Sequence, residues 1–261
     1  MSDEALYNSR NIKVYMEYLR IHYPSVDAKA ILDYAGMTTY QLNDGGHWFT
    51  QGEIDRFYEI VVKLTENPDI AIEVGRFAPF SKASGAMTTF TTGFITPAVA
   101  YAFIGKMYPQ VSRACLIETH SLKNNQAEIK IRLKPGVEEK PYQCENRKGI
   151  FESVSKLLTG KLPKIDHPIC LHKGGDCCHY IITWELTQSS TWKRFSGLAT
   201  LVSLLAMPVL IFAFSAYHAF VFSFLALVLI FGTMFRALML EKNELKSTLE
   251  SSGDTAETLL N

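Results

Sequence analysis

The sequence predicts an α+β protein: helices first, then an antiparallel sheet with packed helices, then an apolar two-helix hairpin and a short C-terminal helix. Three observations lead there. Apolar residues recur at helical spacing over the first 75 residues, the period shortens to two beyond residue 114, and residues 195–235 contain no Asp, Glu, Lys or Arg.

The helices come first. Val14, Tyr15, Tyr18, Leu19 and Tyr23 share one helical face, and Pro24 stops the run. Val26 to Ala35 gives a second helix with Gly36 as its C-terminal cap. Thr50-Gln51-Gly52-Glu53 is a capping box before Ile54, Phe57, Ile60, Val61 and Leu64, so a helix covers Gln51–Thr65 until Asn67-Pro68 breaks it. Asp69 to Val74 forms another, ended by Gly75. Thr96-Pro97 reads as an N-cap with proline at the first helical position, opening a helix over Val99–Met107.

The period then changes. Ala114–Glu118 is a candidate strand, and Ala127–Leu133 alternates apolar residues with Glu128, Lys130 and Arg132, leaving one wet face. Lys134-Pro135-Gly136 is a turn. Ile150, Val154, Leu157 and Leu158 share one face of a helix over Asn146–Thr159, closed by Gly160, and His179–Glu185 is the last strand.

Phe195 to Phe235 is too long for one crossing, since 41 helical residues span about 62 Å against a hydrocarbon core of about 30 Å. Two spans, Leu198–Phe214 and Ala219–Phe235, are expected, with Lys193, Arg194, Arg236 and Lys242 at the cytoplasmic ends. The acidic start Met1-Ser2-Asp3-Glu4 has no signal-peptide pattern. The expected location is therefore the inner, cytoplasmic membrane, with the soluble part and both termini cytoplasmic. The division is 1–79 helical, 80–190 α+β, 195–236 transmembrane hairpin and 237–261 a short helix and tail. Lys+Arg and Asp+Glu are both 26, so no global field steers the chain to nucleic acid.

The candidate metal ligands are Cys144, His167, Cys170 and Cys178, at intervals of 23, 3 and 8 residues. Three thiolates and an imidazole suit a closed, non-catalytic tetrahedral zinc site. On spacing alone the same residues read equally well as free cysteines in a reduced cytoplasm, with Cys177 or His172 as alternative ligands. Cys115, set apart in an apolar run, reads as a buried small hydrophobe.

The block Pro141-Tyr142-Gln143-Cys144-Glu145-Asn146-Arg147, then Gly149, Gly160, the run from Cys170 to Tyr180, and Trp184 resembles the 4-vinyl reductase domain and the zinc-containing sensor domains of bacterial aromatic-responsive activators, over residues 80–186. That superfamily also includes haem nitric-oxide-binding domains and TRAPP transport subunits. The resemblance implies a structural zinc, with His167 where the family has a glutamate. It also implies an apolar pocket between helices and sheet. Candidates for the pocket are Phe80, Met87, Phe90, Phe94, Tyr101, Phe103 and Met107, which read otherwise as ordinary core. His47 and Trp48 are candidates to cap it.

The function expected is a membrane-anchored, homodimeric sensor of a small hydrophobic or aromatic ligand, passing its signal to a separate kinase or cyclase. The sequence has no Gly-rich dinucleotide loop and no catalytic constellation, so an enzyme is not expected. A vinyl reductase of tetrapyrroles and a ligand-free adaptor are the alternatives, and a dry, fully packed interior would mark the adaptor.

Overall fold

The computed structural model describes residues 4–83, 96–123, 125–186, 188–213 and 216–258. It has two compact units, one holding the chain up to Trp184 and one spanning Glu185–Asp254.

The first unit begins with strand β1 (Ala5–Asn8), followed by α1 (Ser9–His22), α2 (Ala28–Ala35), α3 (Thr39–Asn43), β2 (Trp48–Thr50), α4 (Gln51–Thr65) and α5 (Ile70–Phe77). The α1 helix starts earlier than its apolar stripe because Asn8 caps it, its side chain accepting from the Arg10 N–H at 3.1 Å. The capping box at Thr50 and Glu53 forms as its residues dictate. A second box, Thr38 with Gln41, opens α3. Strands β1 and β2 pair antiparallel, and both were unforeseen because each is only a few residues long.

After α6 (Pro97–Met107) come β3 (Cys115–Lys123), β4 (Gln126–Leu133), α7 (Pro141–Thr159), β5 (Lys164–Ile169) and β6 (Cys178–Thr183). The four strands form one antiparallel sheet in the order β3-β4-β6-β5. Ala127, Ile129 and Ile131 of β4 are buried on one face, as the alternation requires. Edge strand β5 tolerates Pro168 because its register shifts between Asp166 and Ile169 and the pairing is relaxed there.

Two cores result. Leu6, Ile12, Ile31, Phe49, Phe57 and Val61 belong to the first, and Tyr101, Ile129, Phe151, Tyr180 and Trp184 to the second. Burying one such large side chain contributes about 1.5–3 kcal/mol. Between the cores α5 lies directly on α7, because Gly75 and Gly149 present no side chains there. Gly75 is therefore inside α5 and is not the helix stop expected of it.

The second unit is α8 (Gln188–Ala213) and α9 (Ala216–Thr258). They run antiparallel: Ser189 Oγ donates to Glu244 at 2.5 Å, Lys193 pairs with Glu241, and Arg236 lies 4.6 Å over the Trp192 ring. The expected transmembrane hairpin is corrected here. Among the described residues one stretch, Phe220–Glu244, is long and apolar enough to cross a membrane. It runs on past Phe235, where the second span was to stop, because α9 continues unbroken. The first expected span carries Pro208 inside its helix and ends outside the described residues.

Candidate ligand cavity and thiol cluster

A cavity of about 720 Å³ opens between α1, α4 and α5 on one side and α6 and α7 on the other. The same periodicity that makes these helices amphipathic lines it: Ile12 and Tyr15 from α1, Ile54, Phe57 and Tyr58 from α4, Val74 from α5, Phe103, Ile104 and Met107 from α6, and Ile150 from α7. Tyr58 and Tyr142 stack in its wall at 3.9 Å with an interplanar angle of 11°.

Several of its polar residues are held in a network. Gln143 Nε2 donates to Tyr7 Oη at 2.9 Å, and Tyr7 Oη donates to Gln51 Oε1. Gln51 Nε2 and Tyr142 Oη both donate to Asp55 Oδ1 at 2.8 Å. Arg147, a lining residue with a 5% exposed side chain, pairs through Nη2 with the fully buried Glu139 carboxylate and reaches Tyr108 Oη through Nε at 3.4 Å. Its Nη1 is buried and has no hydrogen-bond partner. Burial opposes the guanidinium charge, but Glu139, together with Tyr108, Cys115 and Tyr180, outweighs it and holds the group protonated. Burial also pushes the Tyr7, Tyr15, Tyr108 and Tyr142 phenols well above their ordinary range, so they stay neutral.

The cysteines form a separate feature. The Sγ atoms of Cys144, Cys170 and Cys178 lie within 4.8 Å of one another, all buried, with Cys144 and Cys178 hydrogen-bonded at 3.4 Å. The first turn of α7, the end of β5 and the start of β6 bring them together. Cys178 is pushed down to about 4 by the Cys144 hydrogen bond, against burial and with help from the Leu171 backbone and His167. Cys144 is pushed up by the same bond and by burial. His167, in β5, supplies none of the three mutually close ligand atoms, but it hydrogen-bonds Cys178; its ring stacks on Tyr180 at 4.1 Å and its Nε2 is without a partner. Burial lowers its pKa. Cys177 is buried outside the cluster too, and Cys115 packs in the second core, its thiol raised to about 11 by burial.

Of the expected pocket residues, Phe103 and Met107 line the cavity. Tyr101 does not: it packs in the second core and donates to the Phe151 carbonyl at 2.8 Å. Phe80 is exposed, and Met87, Phe90 and Phe94 lie outside the described residues. The sequence reading missed Tyr7, Tyr15, Tyr108 and Arg147. A signal existed for Arg147, which shares the buried face of α7 with Cys144, Phe151 and Val154 at spacings of three, four and seven.

No protein-family profile matches this chain, and no curated protein matches it. Solved structures do. An H-NOX protein from S. oneidensis in the Fe(II)NO ligation state is 16% identical, with a TM-score of 0.55, over 69% of this chain and 99% of its own. A mutant H-NOX protein from S. oneidensis, in the Fe(II) ligation state, is 17% identical, with a TM-score of 0.53, over 69% and 96%. A structure concerned with modulating haem redox potential through porphyrin distortion, 13% identical, also has a TM-score of 0.53, over 68% and 99%.

The fold is like that of H-NOX proteins. This corrects the expected likeness to the 4-vinyl reductase domain. The match spans 69% of the chain, more than residues 80–186 supply, so the N-terminal helices are part of one fold with the sheet. It also corrects the expected cofactor. The matching structures are described by iron(II) and haem, so zinc is not retained.

The cavity is poorly equipped for haem as well. Haem iron takes His, Cys thiolate, Met or a Tyr phenolate as axial ligand. Among the described residues the cavity lining holds no His and no Cys, and residues 81–114 of the sequence contain neither. Met107 and the five lining tyrosines are the side chains there of a type that ligates iron. The lining lacks the imidazole and the thiolate that hold haem in most proteins.

Proposed function

We propose that this chain is a small-ligand sensory protein and not an enzyme, with the cavity between α1, α4, α5, α6 and α7 as its ligand chamber. The observation that carries the reading is the cavity itself: about 720 Å³ of mostly apolar space, with Arg10, Lys13, Lys82 and Arg147 among its polar lining residues, inside the range of about 300–1,000 Å³ usual for small-molecule sites. A fully packed interior, the mark of a ligand-free adaptor, is not what these helices enclose. The likeness to H-NOX folds supports a sensory role. The chamber walls come from both cores, so a ligand that binds one arrangement of α5 on α7 more tightly shifts the balance between arrangements. A kinase or cyclase on a separate chain is the proposed recipient of that shift.

We propose further that the chain meets a membrane through Phe220–Glu244. Leu204, Phe224 and Phe231 expose large apolar surface on α8 and α9, which marks a lipid or protein contact. Co-flotation of the full chain with liposomes tests this, and a soluble homodimer that stays at the bottom of the gradient defeats it. Cys144, Cys170 and Cys178 remain a proposed ligand set for a metal ion, to be read by elemental analysis.

The test of the chamber is a thermal-shift screen of the full chain against small apolar compounds, repeated on Ile104→Trp, which fills the cavity. Stabilisation of the native chain alone is expected. Stabilisation that persists in the filled variant, or none in either, overturns the reading.

A further inference from the structure

We propose that the cavity takes an organic acid: an apolar body seated among the helices, with a single anionic head group held along one side by Arg10, Lys13 and Lys82. This rests on the cavity being the ligand chamber, and it adds the chemical class of the ligand.

The charges of the lining are all of one sign. It holds four cationic side chains, Arg10, Lys13, Lys82 and Arg147, and no Asp or Glu. Arg147 is already matched by the buried Glu139 carboxylate. The other three make no ion pair among the described residues.

The three lie in a row. Arg10 and Lys13 are one turn apart on α1 and share an edge of that helix. Glu17 follows one turn further on, and its Oε2 accepts from Ser81 Oγ at 2.7 Å and from the Lys82 N–H at 3.0 Å. Those bonds tie Lys82 to the same edge and occupy the nearest carboxylate, which does not line the cavity. Lys13 Nζ donates to the Asn43 carbonyl at 3.2 Å, and an ammonium has two further protons to give.

This row suits a head group better than the cavity floor does. Arg10 and Lys82 are exposed, so an anion beside them keeps part of its hydration and escapes the cost of full burial. The body meets Ile12, Phe57, Phe103, Ile104, Met107 and Ile150, which are apolar, within about 720 Å³. Burial of that body supplies affinity, and the row of cations supplies the choice of ligand. An uncharged molecule gains nothing from the row, and a cation meets three like charges. Exposed pairs are weak singly, so three together should favour an acid about tenfold over its amide.

Three photoreactive probes with one body test this: benzophenone-4-carboxylate, benzophenone-4-carboxamide and 4-(aminomethyl)benzophenone. The full chain in detergent is irradiated with each over a range of concentrations, and adducts are mapped by peptide mass spectrometry. Saturable adducts at Ile104, Met107 or Ile150 are expected, with the carboxylate half-saturating at about a tenth of the carboxamide concentration and the amine weakest. Raising salt from about 0.1 M to about 1 M should bring the carboxylate to the level of the carboxamide. So should Arg10→Gln combined with Lys82→Gln, with carboxamide labelling unchanged as the sign that the cavity is intact.

Equal half-saturation by carboxylate and carboxamide overturns the inference while the chamber reading stands. A carboxylate preference that survives the double substitution also overturns it, since the head group is then held elsewhere. If the double variant loses carboxamide labelling as well, the salt titration of the unsubstituted chain decides, and a preference that salt leaves unchanged overturns the inference. Absence of cavity adducts from all three probes sinks the chamber reading with it.

Discussion

Gly75 and Gly149 face each other where α5 crosses α7, and neither has room for a Cβ. A Cβ on Gly75 would stand 2.1 Å from the Asn146 carbonyl oxygen, and one on Gly149 would stand 2.1 Å from that of Ile72. Both obstacles are backbone, so no rotamer change relieves the clash. The helices that join the two cores, and that flank the cavity through Val74 and Ile150, are in contact because these two positions are glycine.

Gly149→Ala should therefore lower the unfolding free energy by about 3 kcal/mol, at the high end of overpacking costs. Gly45→Ala, where an added Cβ meets nothing within 4 Å, should stay within about 0.5 kcal/mol of the parent. Urea unfolding followed by circular dichroism measures both. Equal stability of the two variants would show that the crossing is looser than described.

Arg147→Met should cost about 3–5 kcal/mol, because it leaves the Glu139 carboxylate buried without its cation. Adding Glu139→Leu should recover most of the loss, since a buried pair and an apolar pair of similar volume are close in energy. A double-mutant cycle reads this directly, and additive losses would mean that the two side chains do not depend on each other.

The Cys144–Cys178 pair predicts a pH dependence with a definite sign. Cys178 is held near 4 in the folded chain against an ordinary value of 9.0, so below pH 9 the unfolded chain binds the extra proton. Unfolding free energy from this group rises from about pH 4 to about pH 9 and is lost as pH falls through the lower value. Above pH 9 the raised Cys144 reverses the slope. Chelator-washed protein compared with Cys178→Ser at pH 5 and pH 8 should show the parent gaining on the variant at the higher pH. A constant difference between them would remove the thiolate.

Tyr101 and Phe103 separate packing from ligand contact. Tyr101→Phe removes hydroxyl bonds to the Phe151 carbonyl and Ser155 Oγ, at 2.8 and 2.7 Å, and should cost about 1 kcal/mol with the ligand-induced thermal shift unchanged. Phe103→Ala should weaken the ligand-induced thermal shift while the fold survives. Reversed outcomes would put the ligand in the second core.

Local rules carried much of the fold. The Thr50 box, the Gly36 and Gly160 caps and the alternation of β4 each state their element within a few residues, and the structure follows them. What local rules could not state was pairing. Strands β1 and β2 are held by each other, and β5, interrupted by Pro168, is a strand only because β6 lies beside it. The same limit applies at the sites. Three cysteines could be gathered from their spacing, yet nothing in a linear chain says that the His167 ring stacks on Tyr180. Nor does it say that Tyr7, 140 residues before Arg147, shares its cavity. The apolar run beyond Phe195 was plain, but where a helix ends is decided by what it packs on, and α9 runs past the expected stop.

The Glu139–Arg147 pair has a consequence for ionic strength. Both side chains are shielded from solvent, so added salt screens their attraction far less than that of an exposed pair such as Arg132–Glu118. The buried pair should keep its contribution as the Debye length contracts from about 10 Å at 0.1 M to about 3 Å at 1 M, while the exposed one fades.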